Sequence, residues 1–139
     1  MRRVVSPCGI WRRGPENVPT ILVVDDEFGI GELLEALLQD DGHRVLTAMN
    51  GRHALERMAE AKPDLVISDL MMPVMDGASL LRAMRATADL QDVPFLLMCA
   101  LPEASIADVA TGYDAFLRKP FKLAEIAGLV AGLLRPGKT

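Results

Sequence analysis

Only two cysteines occur in the 139 residues, Cys8 and Cys99, far apart and with no CxxC or Cys/His spacing around them. Neither a disulfide framework nor a structural zinc site is indicated, and a reducing, cytoplasmic setting is the natural expectation. No apolar run approaches the length a bilayer crossing requires, so no membrane insertion is expected. Arg2-Arg3 is followed by a stretch too short and too broken for an export signal. Basic residues are also scarce beyond the start of the chain. Residues 1–19 carry four arginines against Glu16, whereas 20–139 carry 11 basic and 18 acidic residues, within a net charge of −4. Phosphate contacts need a basic face, so the acidic body argues against nucleic acid as a direct partner. There is no internal repeat or low-complexity segment. His43 and His53 have no partner at a useful spacing and are expected at the solvated surface.

Half the residues are apolar, enough for a real core. Pro7, Gly9, Gly14, Pro15 and Pro19 break up the first 19 residues, which read as a flexible basic leader. Its arginines suit a solvated tail, with an anionic contact as the alternative. Trp11 suits either an anchor to a partner or a contact with the domain's own surface. From residue 20 short apolar runs alternate with helical patterns. The runs at 21–24, 45–48, 65–69, 95–99 and 115–117 predict buried strands. Ile30, Leu33, Leu34, Leu37 and Leu38 predict a first helix; Leu55, Met58 and Ala59 a second; Leu80, Leu81 and Met84 a third. Residues 103–110 predict a short, weak fourth helix, and Ile126, Leu129, Val130, Leu133 and Leu134 a fifth. Alternating strands and helices imply an α/β, doubly wound, flavodoxin-like (βα)5 fold. Its five-stranded parallel sheet should have the order 2-1-3-4-5. The expected divisions are 1–19 leader, 20–135 folded domain and 136–139 short tail.

Ligands of such a sheet bind beyond the carboxyl ends of its strands, at the switch point between strands 1 and 3. Those ends read Asp25-Asp26-Glu27 for strand 1, Asp69 for strand 3, Cys99-Ala100 for strand 4 and Lys119-Pro120 for strand 5. Carboxylates from two strands converge there. They repel one another unless a cation is present. An all-oxygen ligand set without a His or thiolate cluster favours a hard cation, Mg²⁺ first. Asp69 is then a candidate nucleophile for a phosphoryl group, and Lys119 supplies a fixed positive charge. Taken singly, an Asp-Asp pair after a strand is ordinarily no more than acids in a first helical turn. The argument rests on all three features falling at neighbouring strand ends.

Four stretches carry a resemblance: Ile-Leu-Val-Val-Asp-Asp-Glu at 21–27, Asp-Leu-Met-Met-Pro-Val-Met-Asp-Gly at 69–77, residues 94–100, and Phe-Leu-Arg-Lys-Pro-Phe at 116–121. With them, residues 20–135 resemble the receiver domain of bacterial two-component response regulators, in a stand-alone form like the chemotaxis regulators. The resemblance implies a phosphorelay role. Asp69 accepts a phosphoryl group from a sensor histidine kinase or a histidine phosphotransfer protein, and partner binding then changes. It implies Mg²⁺ on Asp26, Asp69 and the backbone carbonyl of Met71, with Asp25 acting through water. Lys119 pairs with Asp69 and later with the phosphoryl oxygens, and the peptide to Pro120 is cis. Phe116 is the switch aromatic, and the output surface is formed by helix 4, strand 5 and helix 5. Cys99 stands where the family usually has Ser or Thr. Such a domain is not an enzyme in the ordinary sense, although it catalyses its own phosphorylation and slow dephosphorylation. A monomer or weak dimer is expected, with an unspecified downstream protein target. The alternatives are a phosphorylation-independent docking module with a degenerate receiver site, and a flavodoxin. The flavodoxin would need a phosphate-binding loop where this chain has acids.

Overall fold

The computed structural model describes residues 18–134. All but the last two residues of the expected leader, Trp11 and Cys8 included, lie outside the described residues, as does the expected tail. The strands are β1 (Thr20–Val24), β2 (Arg44–Ala48), β3 (Leu65–Asp69), β4 (Phe95–Cys99) and β5 (Ala115–Arg118). The helices are α1 (Phe28–Asp40), α2 (Gly51–Glu60), α3 (Gly77–Arg85) and α4 (Leu123–Leu133). All strand pairings are parallel, and the sheet order is β2-β1-β3-β4-β5. The fold class and strand order are those expected from the alternating pattern. Among the described residues no helix is long and apolar enough to cross a membrane.

β1, β3 and β4 are buried at every residue because both faces of the sheet are covered. Alternation along each strand divides the core in two. Leu22, Val24, Val66, Phe95 and Leu97 face one layer, with Met58 of α2 and Leu80, Leu81 and Met84 of α3. Ile21, Val23, Leu65, Ile67, Leu96 and Met98 face the other, with Leu34 and Leu38 of α1 and Ile126 and Val130 of α4. Asn50 and Asp76 cap α2 and α3, accepting the backbone N–H groups of His53 and Ser79.

The fourth helix expected at 103–110 is not an α-helix. Glu103–Ile106 is a single 3-10 turn followed by further turns. Only Ile106 and Ala110 of this segment are buried, while Val109 is 53% exposed. Two small anchors do not make the apolar stripe that sustains a short helix. Arg85 holds the far end of the segment in place. It donates to the carbonyls of Gln91, Val93 and Gly112 and pairs with Asp114 at 3.0 Å. Gly112 takes φ +90°, a conformation that suits glycine. Among the described residues the last helix is therefore the fourth α-helix, not the fifth.

Candidate functional site

The carboxyl ends of β1 and β3 place one oxygen each from Asp25, Asp26 and Asp69 within 4.8 Å of one another. Lys119, just past β5, reaches the same point. Its Nζ lies 3.2 Å from Asp69 Oδ2, 3.5 Å from Asp25 Oδ2 and 3.4 Å from Glu27 Oε1. The Lys119 N–H donates to the Cys99 carbonyl, which ties the residue to β4, and the peptide bond to Pro120 is cis as expected. Asp25 and Asp69 are buried and Asp26 is exposed. Asp25 Oδ1 accepts the Glu27 N–H at 2.8 Å, but Oδ2 accepts no hydrogen bond and has only the long lysine pairing.

The electrostatics follow from this crowding. Burial pushes the Asp25 carboxyl above its ordinary 3.8, and neither the Glu27 N–H nor Lys119 fully offsets it. Burial raises Asp69 in the same way, against Lys119 and the Met71 N–H. Burial pulls the Lys119 ammonium down, but Asp25, Asp69 and Glu27 outweigh it and hold the amine protonated above its ordinary 10.5. Several acids around one lysine leave an excess of negative charge, and a buried oxygen without a hydrogen bond suits a cation ligand. The donor set, carboxylate oxygens with no sulfur or imidazole, fits a hard divalent ion such as Mg²⁺.

Two glycines fix the loop that follows Asp69. The Gly51 N–H donates to the Met75 carbonyl at 2.9 Å, and a Cβ on Gly51 would come within 2.6 Å of the Met75 side chain. The Gly77 N–H donates to Leu70 O at 2.9 Å, and a Cβ there would run into the Asp69 carbonyl with Leu70 Cα at 3.0 Å. Gly77→Ala must shift β3 or the start of α3, backbone against backbone. We expect a stability loss of about 2 kcal/mol, read by urea denaturation. An unchanged midpoint would show that the helix start yields freely. Between the glycines, Val74 is held at φ +68°, a left-handed conformation that strains a β-branched side chain. It is 76% exposed, so little packing is lost by replacing it. Val74→Asn is expected to raise stability by about 1 kcal/mol, and a lower melting temperature would refute the strain.

Residues 21–131 match the family model of the response regulator receiver domain. The chain belongs to this family. Among curated proteins, the receiver is 40% identical over 117 residues to response regulator MprA of Mycolicibacterium vanbaalenii, covering 83% of this chain and 50% of that protein. It is also 40% identical over 119 residues to the transcriptional regulatory protein PrrA of Mycobacterium tuberculosis, covering 84% of this chain and 50% of that one. The chain thus spans about half the length of the curated relatives it matches. Among solved structures, chemotaxis response regulator CheY4 of Vibrio cholerae superposes with a TM-score of 0.80 at 31% identity, over 85% of this chain and 100% of that one. The receiver domain of sensor histidine kinase PA1611 from Pseudomonas aeruginosa, with magnesium in its active-site cleft, gives 0.78 at 28% identity, over 84% and 98%.

The receiver brings Asp25, Asp26, Asp69 and Lys119 together at the edge of the sheet. Cys99 is fully buried, and its Sγ accepts the Leu101 N–H at 3.4 Å. Phe116, half-buried, lies beside Tyr113 with ring centroids 6.1 Å apart, and Tyr113 donates to Glu103 at 2.6 Å. The Met71 side chain is 64% exposed at the rim. Sequence reasoning missed two partners. Glu27 sits at the N-cap of α1 without capping it and turns its carboxylate to Lys119. His53, expected to be unpartnered, accepts the Met49 N–H at its Nδ1. His43 is half-buried, not fully solvated, and its Nδ1 has no hydrogen-bond partner. The Asp25-Asp26-Glu27 run at the end of strand 1 hinted at Glu27; nothing local to His53 marked its contact.

Proposed function

We propose that this receiver domain takes a phosphoryl group onto Asp69 from the phosphohistidine of a sensor histidine kinase or a histidine phosphotransfer protein. The observation that carries the reading is the convergence of Asp69, Asp25 and Asp26 on a single lysine at the carboxyl edge of the sheet. An Asp69 carboxylate oxygen attacks phosphorus as the bond from phosphorus to the donor imidazole nitrogen breaks, and the imidazole leaves with a proton. Lys119, kept protonated by the acids around it, passes from Asp69 to the phosphoryl oxygens. The Met71 N–H, close to the Asp69 carboxylate, favours its ionised form. Mg²⁺ would be held by Asp26, Asp69 and the Met71 carbonyl, with Asp25 acting through water; bound there, it supplies the positive charge that lets an anionic phosphate approach an anionic site. The complete acid–lysine set speaks against the degenerate docking module. Incubation with acetyl phosphate and Mg²⁺, followed by intact mass and peptide mapping, tests the reading. One phosphoryl adduct on the peptide that contains Asp69 is expected. No adduct, or an adduct elsewhere, would exclude it.

Cys99 bears on how the phosphoryl group is felt. A thiol donates a weaker hydrogen bond than a hydroxyl and is larger. Cys99→Thr is therefore expected to strengthen the response of β5 and Phe116 by about 1 kcal/mol, one good charge-assisted hydrogen bond over a weak one. Amide exchange over β5 and residues 103–110, with and without a phosphoryl mimic, measures it. Identical responses in the two proteins would rule out a hydroxyl-limited switch.

A further inference from the structure

A cavity of about 270 Å³ adjoins the acid cluster, walled by the residues that follow β1, the first turns of α1, the end of β2 and the start of α2. Its wall holds Asp26, Glu27, Glu32 and Glu35 and contains no lysine or arginine. Asp25 also belongs to the wall; its side chain is fully buried and its Oδ2 accepts no hydrogen bond. Among the described residues, the only ion pairs made by these acids come from Lys119, to Asp25 and Glu27. Gly31 leaves the α1 side of the wall without a side chain, and a Cβ there would meet nothing within 4 Å. One exposed apolar group stands in this acidic setting, Met49, at 63% exposure. The cavity thus sets several carboxylates beside one exposed thioether.

The chain itself carries a segment of complementary chemistry. Residues 1–17 hold four arginines against Glu16, and the only tryptophan of the sequence, Trp11, directly precedes Arg12-Arg13. We propose that Trp11-Arg12-Arg13 docks in this cavity, the guanidinium groups on Glu32, Glu35 and Asp26 and the indole against Met49. Planar guanidinium groups match carboxylates bidentately, and a thioether packs well on an aromatic ring. The tether is long enough. Arg13 precedes Thr20 by seven residues, which extend to roughly 23–25 Å. The five residues of β1 span only about 16 Å from the chain's entry to the cavity end of the sheet. The Arg44 N–H donates to the Pro19 carbonyl, so the chain enters alongside β2, whose far end borders the cavity. A docked leader places positive charge beside Asp25, Asp26 and Asp69 and so competes with a divalent cation there. This last consequence rests on the metal reading of the site; the docking itself does not.

Trp11 is its own reporter. In the full chain at low salt, its emission is expected to be blue-shifted and its anisotropy raised, independently of protein concentration. Both should fall to solvent-like values in Glu32→Lys/Glu35→Lys and in high salt, which screens exposed pairs. Arg12→Ala/Arg13→Ala leaves the folded domain untouched and should give the same loss. A Trp11 signal that is solvent-like in the wild type, or that ignores both variants and salt, overturns the docking. A signal that grows with protein concentration places the leader on a second copy and overturns it as an intramolecular contact. Calorimetric titration with Mg²⁺ reads the competition. A leader seated for half to nine-tenths of the time weakens the apparent affinity roughly two- to tenfold, so Arg12→Ala/Arg13→Ala should bind correspondingly tighter. Equal affinities would overturn the competition. Absence of Mg²⁺ binding in every variant would instead overturn the metal reading, with the Trp11 result standing by itself.

Discussion

Asp69→Asn is expected to abolish phosphoryl uptake from acetyl phosphate and, at the same time, to make the metal-free protein more stable. The first effect follows from the loss of the nucleophile, since an amide oxygen at the same place does not form the acyl phosphate. The second follows from burial beside Asp25 and Asp26. The folded environment raises the Asp69 carboxyl above its ordinary 3.8, so ionised Asp69 is less at home in the folded state than in the unfolded one. A group raised in this way contributes its full stability below its unfolded value and loses it as pH rises through the folded value. At neutral pH the wild type bears the whole penalty, and the neutral asparagine bears none. We expect the variant to melt a few degrees (~2–4 °C) higher at pH 7 without metal, with the difference vanishing as pH falls below the ordinary carboxylate value. Millimolar Mg²⁺ should stabilise the wild type more than the variant and so narrow the gap. Intact mass and thermal melts between acid and neutral pH check both halves. A variant that still gains a phosphoryl group would remove Asp69 from its role, and one that is less stable at pH 7 would remove the repulsion.

The second large effect concerns how long the phosphoryl group stays. Hydrolysis of an acyl phosphate needs a water in line with the bond being broken. The resemblance to the receiver family implies that Met71 and Leu101 occupy the two positions that flank that approach. Both side chains stand at the rim, 64% and 48% exposed, and neither offers a strong hydrogen bond to a water. The Leu101 N–H is engaged by Cys99 Sγ. Two apolar groups at these places should slow hydrolysis. Met71→Asn/Leu101→Glu is therefore expected to shorten the lifetime of phospho-Asp69 by roughly 10- to 100-fold, about 1.4–2.7 kcal/mol of barrier. Decay of the phosphorylated protein after donor removal measures it. A double variant that decays at the wild-type rate would mean that water enters elsewhere.

Most of the fold was legible because the strands are buried on both faces. Continuous apolar runs such as 65–67 have one reading when Asp and Pro punctuate them, and the alternation with helical stripes then leaves few topologies. The charged site was legible for the same reason: strand ends are easy to find, and in this fold the site lies at strand ends. What stayed hidden depends on contacts distant in sequence. Ile106, Val109 and Ala110 have helical spacing, yet with two of them buried and Arg85 of the neighbouring α3 holding Gly112 and Asp114, the segment settles into a turn. No local pattern announces a side chain that arrives from α3. Glu27 is similar, since an acid at the start of a helix has a ready local explanation, and only the fold brings Lys119 to it across 92 residues.

The turn in place of a helix between β4 and β5 also sets a thermodynamic ceiling. Two sites linked through a segment cannot be coupled by more free energy than is needed to open that segment, because beyond that point the segment melts and stops reporting. Residues 103–110 are secured by Ile106, Ala110 and the Tyr113–Glu103 bond, far less than a packed amphipathic helix provides. On the proposed reading, a message passing from Asp69 along this route would be a small ratio of affinities, at the low end of the roughly 5- to 150-fold range usual for coupled sites. On that reading, a partner that distinguishes the phosphorylated from the unphosphorylated form sharply would have to read the difference elsewhere, at the rim around Asp69 itself.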